Sequence, residues 1–175
     1  MRDFEKRLTG GHPNSLGNTI EVVEEILAQN ELFDELFNCY FSDDEIVRLR
    51  VSNGMKRICK VQKELLVPYI DRLLNEISKI DQPSTKWTLA NLFEMLDQEF
   101  TPEQWIQAKA IVKTNLVEEP DWIVLNNSME TLAKWSGDDE ELRNWLYPQL
   151  QRLRGDTRNS VARRATKLLK TYPSE

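Results

Sequence analysis

Residues 44–59 read DEIVRLRVSNGMKRIC, a stretch in which apolar side chains recur every three or four positions. The recurring positions are Val47, Val51, Met55 and Ile58. This spacing places the four side chains on one face of an α-helix. An aspartate at the start and basic residues near the end suit the helix dipole. The stretch therefore predicts an amphipathic helix whose apolar face is buried.

The same apolar frame recurs three times further along the chain. Its later copies are Thr85, Leu89, Phe93 and Leu96, then Val124, Ser128, Leu132 and Trp135, and then Val161, Ala165, Leu169 and Tyr172. From Val47 the frame advances by 38, 39 and 37 residues. The last two copies can each slip by one helical turn without losing the pattern. A period of this length is typical of stacked helix pairs.

Helical periodicity also fills the segments between these copies. The predicted helices cover 20–27, 32–41, 44–59, 64–80, 84–96, 102–116, 121–135, 139–153 and 156–172. Six of the nine begin at Ser, Asp or Pro, which are typical first residues of helices. The short polar connections between them make consecutive helices antiparallel neighbours. The sequence therefore predicts an all-α fold that follows a loose N-terminal arm over 1–14, with a helical turn at 4–8.

Three motifs resemble the HEAT-repeat superfamily. The segments LLVPYI at 65–70 and WLYPQL at 145–150 each place a proline inside an apolar first helix. The segment DDEIVR at 43–48 is similar to the family's acidic turn followed by Val-Arg. The resemblance extends over 15–172, although the arginine of the Val-Arg pair is kept only at Arg48.

The resemblance implies a particular architecture. It is a right-handed α-α superhelix, a short solenoid of about four antiparallel helix pairs plus an N-terminal helix. In this interpretation the solenoid is one domain over 15–175. One set of helices in such a fold lines a concave side that carries an extended binding surface.

Composition narrows the possible functions. The chain has 175 residues, of which 40% are hydrophobic and 30% charged, which is enough for a buried core. Its formal net charge of -6 opposes non-specific binding to nucleic acids or anionic membranes. No segment resembles a signal peptide or a membrane span, so we expect a cytoplasmic protein.

Cys39 and Cys59 are expected to be buried, reduced thiols, although their positions on opposite members of a helix pair also permit a disulfide.

Residue types needed for catalysis are scarce. His12 is the only histidine and lies in the arm with Gly10 and Gly11, which leaves histidine-based metal sites and Ser-His pairs unsupported. The abundant carboxylates lie at helix starts and turns, where the helix dipole accounts for them. We therefore expect a non-catalytic protein without metal or cofactor.

The alternative comes from the resemblance, since some HEAT-like solenoids are DNA glycosylases that use aromatic residues and an aspartate. Trp87, Asp121 and Trp122 supply those residue types.

The predicted concave face consists of positions opposite the apolar frame on the second helix of each pair. Ten residues form this candidate partner-binding surface: Leu49, Asn53, Lys56, Trp87, Asn91, Asn126, Glu130, Arg163, Lys167 and Lys170. Basic residues crowd two of its helices, within 48–60 and 158–170. Because cation clusters attract acidic groups, we expect a protein-interaction module with an acidic protein or peptide as its partner. Nucleic-acid binding by the same face is the alternative, and no membrane partner is expected.

The five tryptophans are assigned by their position relative to the apolar frame. Trp87 lies on the predicted concave face, where it can anchor a partner or pack against a neighbouring helix pair. The other four lie on or near apolar stripes and are expected in the core: Trp105, Trp122, Trp135 and Trp145.

Overall fold

The computed structural model describes residues 3–12 and 14–172. Residues 1, 2 and 13 of the predicted arm and residues 173–175 of the predicted domain lie outside the described residues. Regular structure in the described ranges consists of α-helices and short 3₁₀ helices, and no strand occurs there. The prediction of an all-α protein is confirmed.

Ten α-helices occur in the described part of the chain. They are α1 Phe4–Leu8, α2 Thr19–Ala28, α3 Phe33–Asn38, α4 Glu45–Val61, α5 Ile70–Asn75, α6 Pro83–Leu96, α7 Pro102–Glu118, α8 Trp122–Trp135, α9 Glu140–Arg154 and α10 Asn159–Leu169. The 3₁₀ helices are Asn30–Leu32, Cys39–Phe41, Lys63–Leu65, Val67–Tyr69, Ile77–Lys79 and Asp97–Glu99. The predicted helix bounds agree with these to within three residues, except for the predicted helices 32–41 and 64–80.

Those two predicted helices are interrupted by 3₁₀ segments. Pro68 lies in the 3₁₀ helix Val67–Tyr69, where its missing backbone N–H removes one of the hydrogen bonds that a continuous α-helix needs. The ring of Tyr69 packs there against Phe33 and Phe37, with centroids 4.9 and 4.6 Å apart. Aromatic packing therefore joins the two interrupted segments.

The chain divides into two compact units, an N-terminal unit Met1–Gln104 and a C-terminal unit Trp105–Glu175. In the N-terminal unit, α4 contacts α1, α2 and α6. All four frame residues of α4 and all four frame residues of α6 are buried. The apolar faces predicted for these two helices are therefore confirmed.

The C-terminal unit is built around contacts among α8, α9 and α10. The frame residues of α8 are buried, and so are Val161 and Ala165 of α10. Leu168 is buried in place of Leu169, and Tyr172 is half-buried. The third position of the last frame is thus wrong by one residue, because Leu168, seven residues after Val161 and three after Ala165, lies on the same face of α10 as they do.

Polar contacts within each unit join residues whose separation in sequence is close to the frame's period. In the N-terminal unit, Tyr69 donates a hydrogen bond to Asp34 over 3.1 Å, and Gln104 donates one to Asp71 over 2.7 Å. In the C-terminal unit, Arg152 donates to the Leu116 carbonyl over 3.2 Å. These pairs lie 35, 33 and 36 residues apart.

The arm is held against α4 in its described part, which differs from the predicted loose arm. Phe4 and Leu8 of α1 are fully buried. Arg50 of α4 is 2% exposed, and its guanidinium donates hydrogen bonds to the carbonyls of Leu8 and Gly10 over 2.6 and 2.7 Å. Arg50 belongs to the basic cluster 48–60 of the binding surface predicted from the sequence. In the structure it holds the arm instead.

Candidate partner-binding surfaces

The first surface, called the α4–α6 face, contains the predicted binding residues of the N-terminal unit. Leu49, Asn53 and Lys56 lie on α4, Trp87 and Asn91 lie on α6, and all five side chains are half-buried. The two helices contact each other, so these positions belong to adjoining helices. Each residue keeps part of its side chain exposed, as a binding surface requires.

Three cations gather on the α4–α6 face, at Lys56, Arg57 and Lys60. Burial lowers the pKa of the Lys56 ammonium, and the nearby positive charges of Lys60 and Arg57 lower it further. Arg57 donates from Nε to Oδ1 of Asn53 over 2.7 Å. Within the described residues none of the three pairs with a carboxylate. The cluster therefore carries positive charge that its own unit leaves uncompensated.

Two other cations of α4 are committed to internal contacts. Arg48 donates to the Gln82 side chain over 2.6 Å and to the Ser42 carbonyl over 2.5 Å. Arg50 is buried against the arm. The interpretation of 48–60 as one surface cluster is therefore corrected to 56–60.

The second surface, called the α8–α10 face, contains the predicted binding residues of the C-terminal unit. Arg163, Lys167 and Lys170 are exposed and have no carboxylate partner within the described part of the chain. Glu130 forms an ion pair with Arg164. Asn126 is only 9% exposed, and its Oδ1 has no hydrogen-bond partner among the residues that the structure describes. Its predicted contact with a partner is not supported, because α8 is buried on more than one face.

Several cations elsewhere in the chain are neutralised, which sets the two basic clusters apart. The ion pairs elsewhere are Arg7–Glu25, Lys63–Glu99, Lys86–Asp81 and Lys109–Asp139, with N···O distances of 2.7–2.8 Å. Within 158–170, Arg158 and Arg164 are also paired, with Asp156 and Glu130, so that cluster is corrected to Arg163, Lys167 and Lys170. In a chain with a net charge of -6, local excesses of positive charge are thus confined to a few segments. Such segments can attract an acidic group although the chain as a whole repels it.

Two of the residues named for glycosylase chemistry, Asp121 and Trp122, lie at the start of α8. Asp121 caps the N-terminus of α8 and accepts hydrogen bonds from the backbone N–H groups of Ile123 and Val124 over 2.8 and 3.0 Å. Trp122 is 48% exposed, which corrects its predicted place in the core. Among the described residues, no group of three or more His, Cys, Asp and Glu side chains is placed to hold a metal ion.

The remaining tryptophans and the cysteines follow the sequence prediction more closely. Trp135 is buried, while Trp105 and Trp145 are half-buried.

Cys39 and Cys59 are buried free thiols, and burial is the main cause that raises their pKa values, to about 12 and about 11. Both therefore stay protonated at neutral pH, which makes them poor nucleophiles.

A third surface was not identified in the sequence. It is an open groove of about 600 Å³ between α7 and α9 in the C-terminal unit, called the α7–α9 groove. Its apolar lining includes Ile106, Ala110 and Val117 from α7 and Leu142 and Trp145 from α9. A sequence signal existed, because α7 carries apolar residues on two opposite faces, and only one of these is needed to join the core.

Comparison with protein-family models, curated proteins and solved structures gives no match to this chain. The HEAT-like resemblance is therefore a hypothesis that depends on the motifs and the recurring frame. No helix in the described ranges is both long enough and apolar enough to cross a bilayer.

Proposed function

We propose that this chain is a non-catalytic interaction module that binds an acidic segment of a partner protein on its α4–α6 face. The observation that carries the proposal is the uncompensated positive charge of Lys56 and Arg57, which are half-buried, and of Lys60, which is exposed. A carboxylate that reaches this cluster forms charge-assisted hydrogen bonds with groups that have no internal acidic partner. Trp87 supplies an aromatic side chain on the same face, a residue type common at the centres of interfaces.

The proposed architecture behind this face is a HEAT-like solenoid. The recurring frame is buried on α4, α6 and α8, and polar contacts within each unit join residues about one period apart. In the N-terminal unit, α2 contacts α4 and α4 contacts α6. This order of contacts suits helix pairs that stack one after another along the chain. Solenoid folds commonly present such helices as an extended binding surface.

An acidic protein segment suits this face better than a nucleic acid does. Three cations can neutralise a few carboxylates, but a nucleic acid carries phosphates along its whole length, and the net charge of -6 repels that extended charge. The α4–α6 face also offers Leu49 and Trp87, which can contact apolar side chains between the acidic residues of a peptide.

Charge reversal on α4 tests the proposal directly. The probes are a fluorescein-labelled 12-residue peptide that alternates Glu with Leu or Phe, and a labelled 12-nucleotide single-stranded DNA. We expect the acidic peptide to bind the wild-type chain in fluorescence anisotropy, and the double variant Lys56→Glu/Lys60→Glu to bind it at least about ten-fold more weakly. Higher salt should weaken the wild-type complex as well.

The matched control reverses two exposed lysines of the same unit, in Lys6→Glu/Lys79→Glu. It changes the net charge by the same amount, so an equal loss of binding would show that only long-range charge matters and would contradict a site on α4. Tighter binding of the oligonucleotide than of the peptide would favour the nucleic-acid alternative. Far-UV circular dichroism checks that both double variants remain folded.

A further inference from the structure

Helix α7 has two opposed faces with different surroundings. Its buried side chains are Ala108, Val112, Asn115 and Leu116. Ile106, Ala110, Lys113 and Val117 lie at intervals of four, three and four residues, within an arc of about 60° on the opposite side of the helix. Ile106 is 68% exposed and Val117 is 50% exposed. The second face therefore presents large apolar side chains to solvent over about 17 Å of helix.

This exposed face forms one wall of the α7–α9 groove, and α9 forms the other. Lys109 of α7 pairs with Asp139 over 2.8 Å, at the N-cap of α9. The ammonium of Lys113 lies 4.4 Å from the ring centroid of Trp145. Both contacts cross from one helix to the other, so the two walls are fixed relative to each other. The groove is a preformed feature of the C-terminal unit and does not involve the α4–α6 face.

The charges along the groove follow a definite pattern. Lys109 is neutralised by Asp139. Lys113, in the middle of the α7 wall, contacts the Trp145 ring and forms no ion pair within the described chain, while its charge also acts on Asp139. Glu141 lies on the first turn of α9, near the end marked by Asp139, and Glu118 lies at the last residue of α7. The groove thus has a cation at its centre and a carboxylate towards each end, and Arg152 of α9 lies at the Leu116 carbonyl near the Glu118 end.

We propose that the α7–α9 groove binds an amphipathic helix of about three turns from a partner protein, with an acidic residue near its middle and basic residues near its ends. The apolar side chains of such a helix cover Ile106, Val117 and Leu142. Its acidic residue pairs with Lys113, whose ammonium is already partly removed from water by the Trp145 ring. Its basic ends meet Glu118 and Glu141. The small side chain of Ala110 lets the two helices approach closely at the centre.

Two synthetic peptides of 15 residues and identical composition test this assignment. Both carry leucines at positions 4, 8 and 11. One has two glutamates beside the centre of the leucine stripe and a lysine at each end, and the other exchanges the glutamates with the lysines. We expect the full chain to bind the first peptide at least about ten-fold more tightly in isothermal titration calorimetry. Lys113→Glu should reverse that preference.

An apolar variant separates groove binding from simple charge attraction. Ile106→Asp places a charge on an exposed position, so it should leave the thermal unfolding midpoint within a few degrees and weaken the first peptide at least about ten-fold. Equal affinity of the two peptides for the wild-type chain would overturn the proposal. So would unchanged binding by the folded Ile106→Asp variant. A wild-type dimer in sedimentation that Ile106→Asp dissociates would assign the groove to a second copy of the chain and would likewise overturn it.

Discussion

Arg50 shows how one buried cation can organise a chain terminus. Its guanidinium is almost fully removed from water, and its acceptors are the backbone carbonyls of Leu8 and Gly10 in the arm and of Ser15 just after it, at 2.6, 2.7 and 3.2 Å. A buried charge is tolerated only when hydrogen bonds replace its hydration, and the planar guanidinium offers five donors in a fixed arrangement. Gly17 completes the cage, because a Cβ there would lie 2.8 Å from Cζ of Arg50.

We predict that Arg50→Lys destabilises the chain by about 2–4 kcal/mol and releases the arm. Lysine keeps the charge, but its single ammonium cannot reach carbonyls spread around a guanidinium, so acceptors are left unpaired. Chemical denaturation measures the loss, and trypsin should cut after Lys6 or Arg7 faster than in the wild-type chain. The control is Arg57→Lys on the same helix, whose cost should stay within about 0.5 kcal/mol because that side chain is half-buried. An equal loss of unfolding free energy in the two variants would contradict the role of Arg50 in holding the arm.

Residue positions were predictable where one helix face decides burial, and unpredictable where a distant segment covers the helix. Val47, Val51 and Met55 follow the helical period and are buried as predicted. Arg50 lies at the edge of that same face, and it is enclosed by residues between Leu8 and Gly17, more than 30 residues earlier in sequence. Asn126 lies opposite its frame and is buried nevertheless, because α8 has buried residues around most of its circumference. Periodicity within one helix contains no information about such additional neighbours.

At the scale of the individual helices, aspartates mark where several of them begin. Asp44, Asp121 and Asp139 each stand at the N-cap and accept hydrogen bonds from backbone N–H groups of the first turn. Those N–H groups have no partner within the helix, and the helix dipole favours a negative charge beside them. These residue types were visible in the sequence, which is why most helix bounds were predicted closely.

We predict that Asp121→Ala costs about 1 kcal/mol of unfolding free energy, because it removes both hydrogen bonds at the start of α8. Asp121→Asn should cost less, since an asparagine oxygen can accept the same bonds. Urea denaturation at neutral pH measures both. Asp138→Ala, next to the α9 cap and exposed, is the control and should change stability by less than about 0.5 kcal/mol. A neutral Asp121→Ala would show that α8 does not depend on this cap.

The interrupted helices and the α7–α9 groove mark the limit of prediction at this scale. Whether 64–80 forms one α-helix or a mixture of 3₁₀ and α segments depends on Pro68 and on the packing of Tyr69 against α3. Those contacts join segments about 35 residues apart. The groove, in turn, depends on where α9 lies beside α7, which the composition of α7 alone does not determine.

At the scale of the whole molecule, the recurring frame was the most informative sequence feature. Its copies on α4, α6 and α8 are all buried, since each helix meets the same requirement to cover one apolar stripe. The charge balance was less informative. A net charge of -6 is the sum of basic segments on α4 and α10 and acidic segments at helix starts, so the total reveals little about what any one surface binds.

Aspartates at or near helix starts should make the whole molecule sensitive to low pH. The pKa of Asp44 is lowered by the hydroxyl of Thr9 and by backbone N–H groups, that of Asp139 by Lys109 and the Leu142 N–H, and that of Asp156 to about 2 by Arg158. The pKa of an aspartate in the unfolded chain is about 3.9. The folded state therefore binds fewer protons than the unfolded state in this range, and acidification favours unfolding.

We predict that stability is nearly constant from pH 7 to about 5 and then falls steadily towards about pH 2, as protons are taken up by these carboxylates on unfolding. Urea midpoints measured at pH 7, 5, 4 and 3 test this. Asp156→Asn should be less stable than the wild-type chain at pH 7 and should lose less stability on acidification, because it has one carboxylate fewer to protonate. A midpoint that stays constant down to pH 3 would mean that the hydrogen bonds at the helix starts contribute little to the folded state.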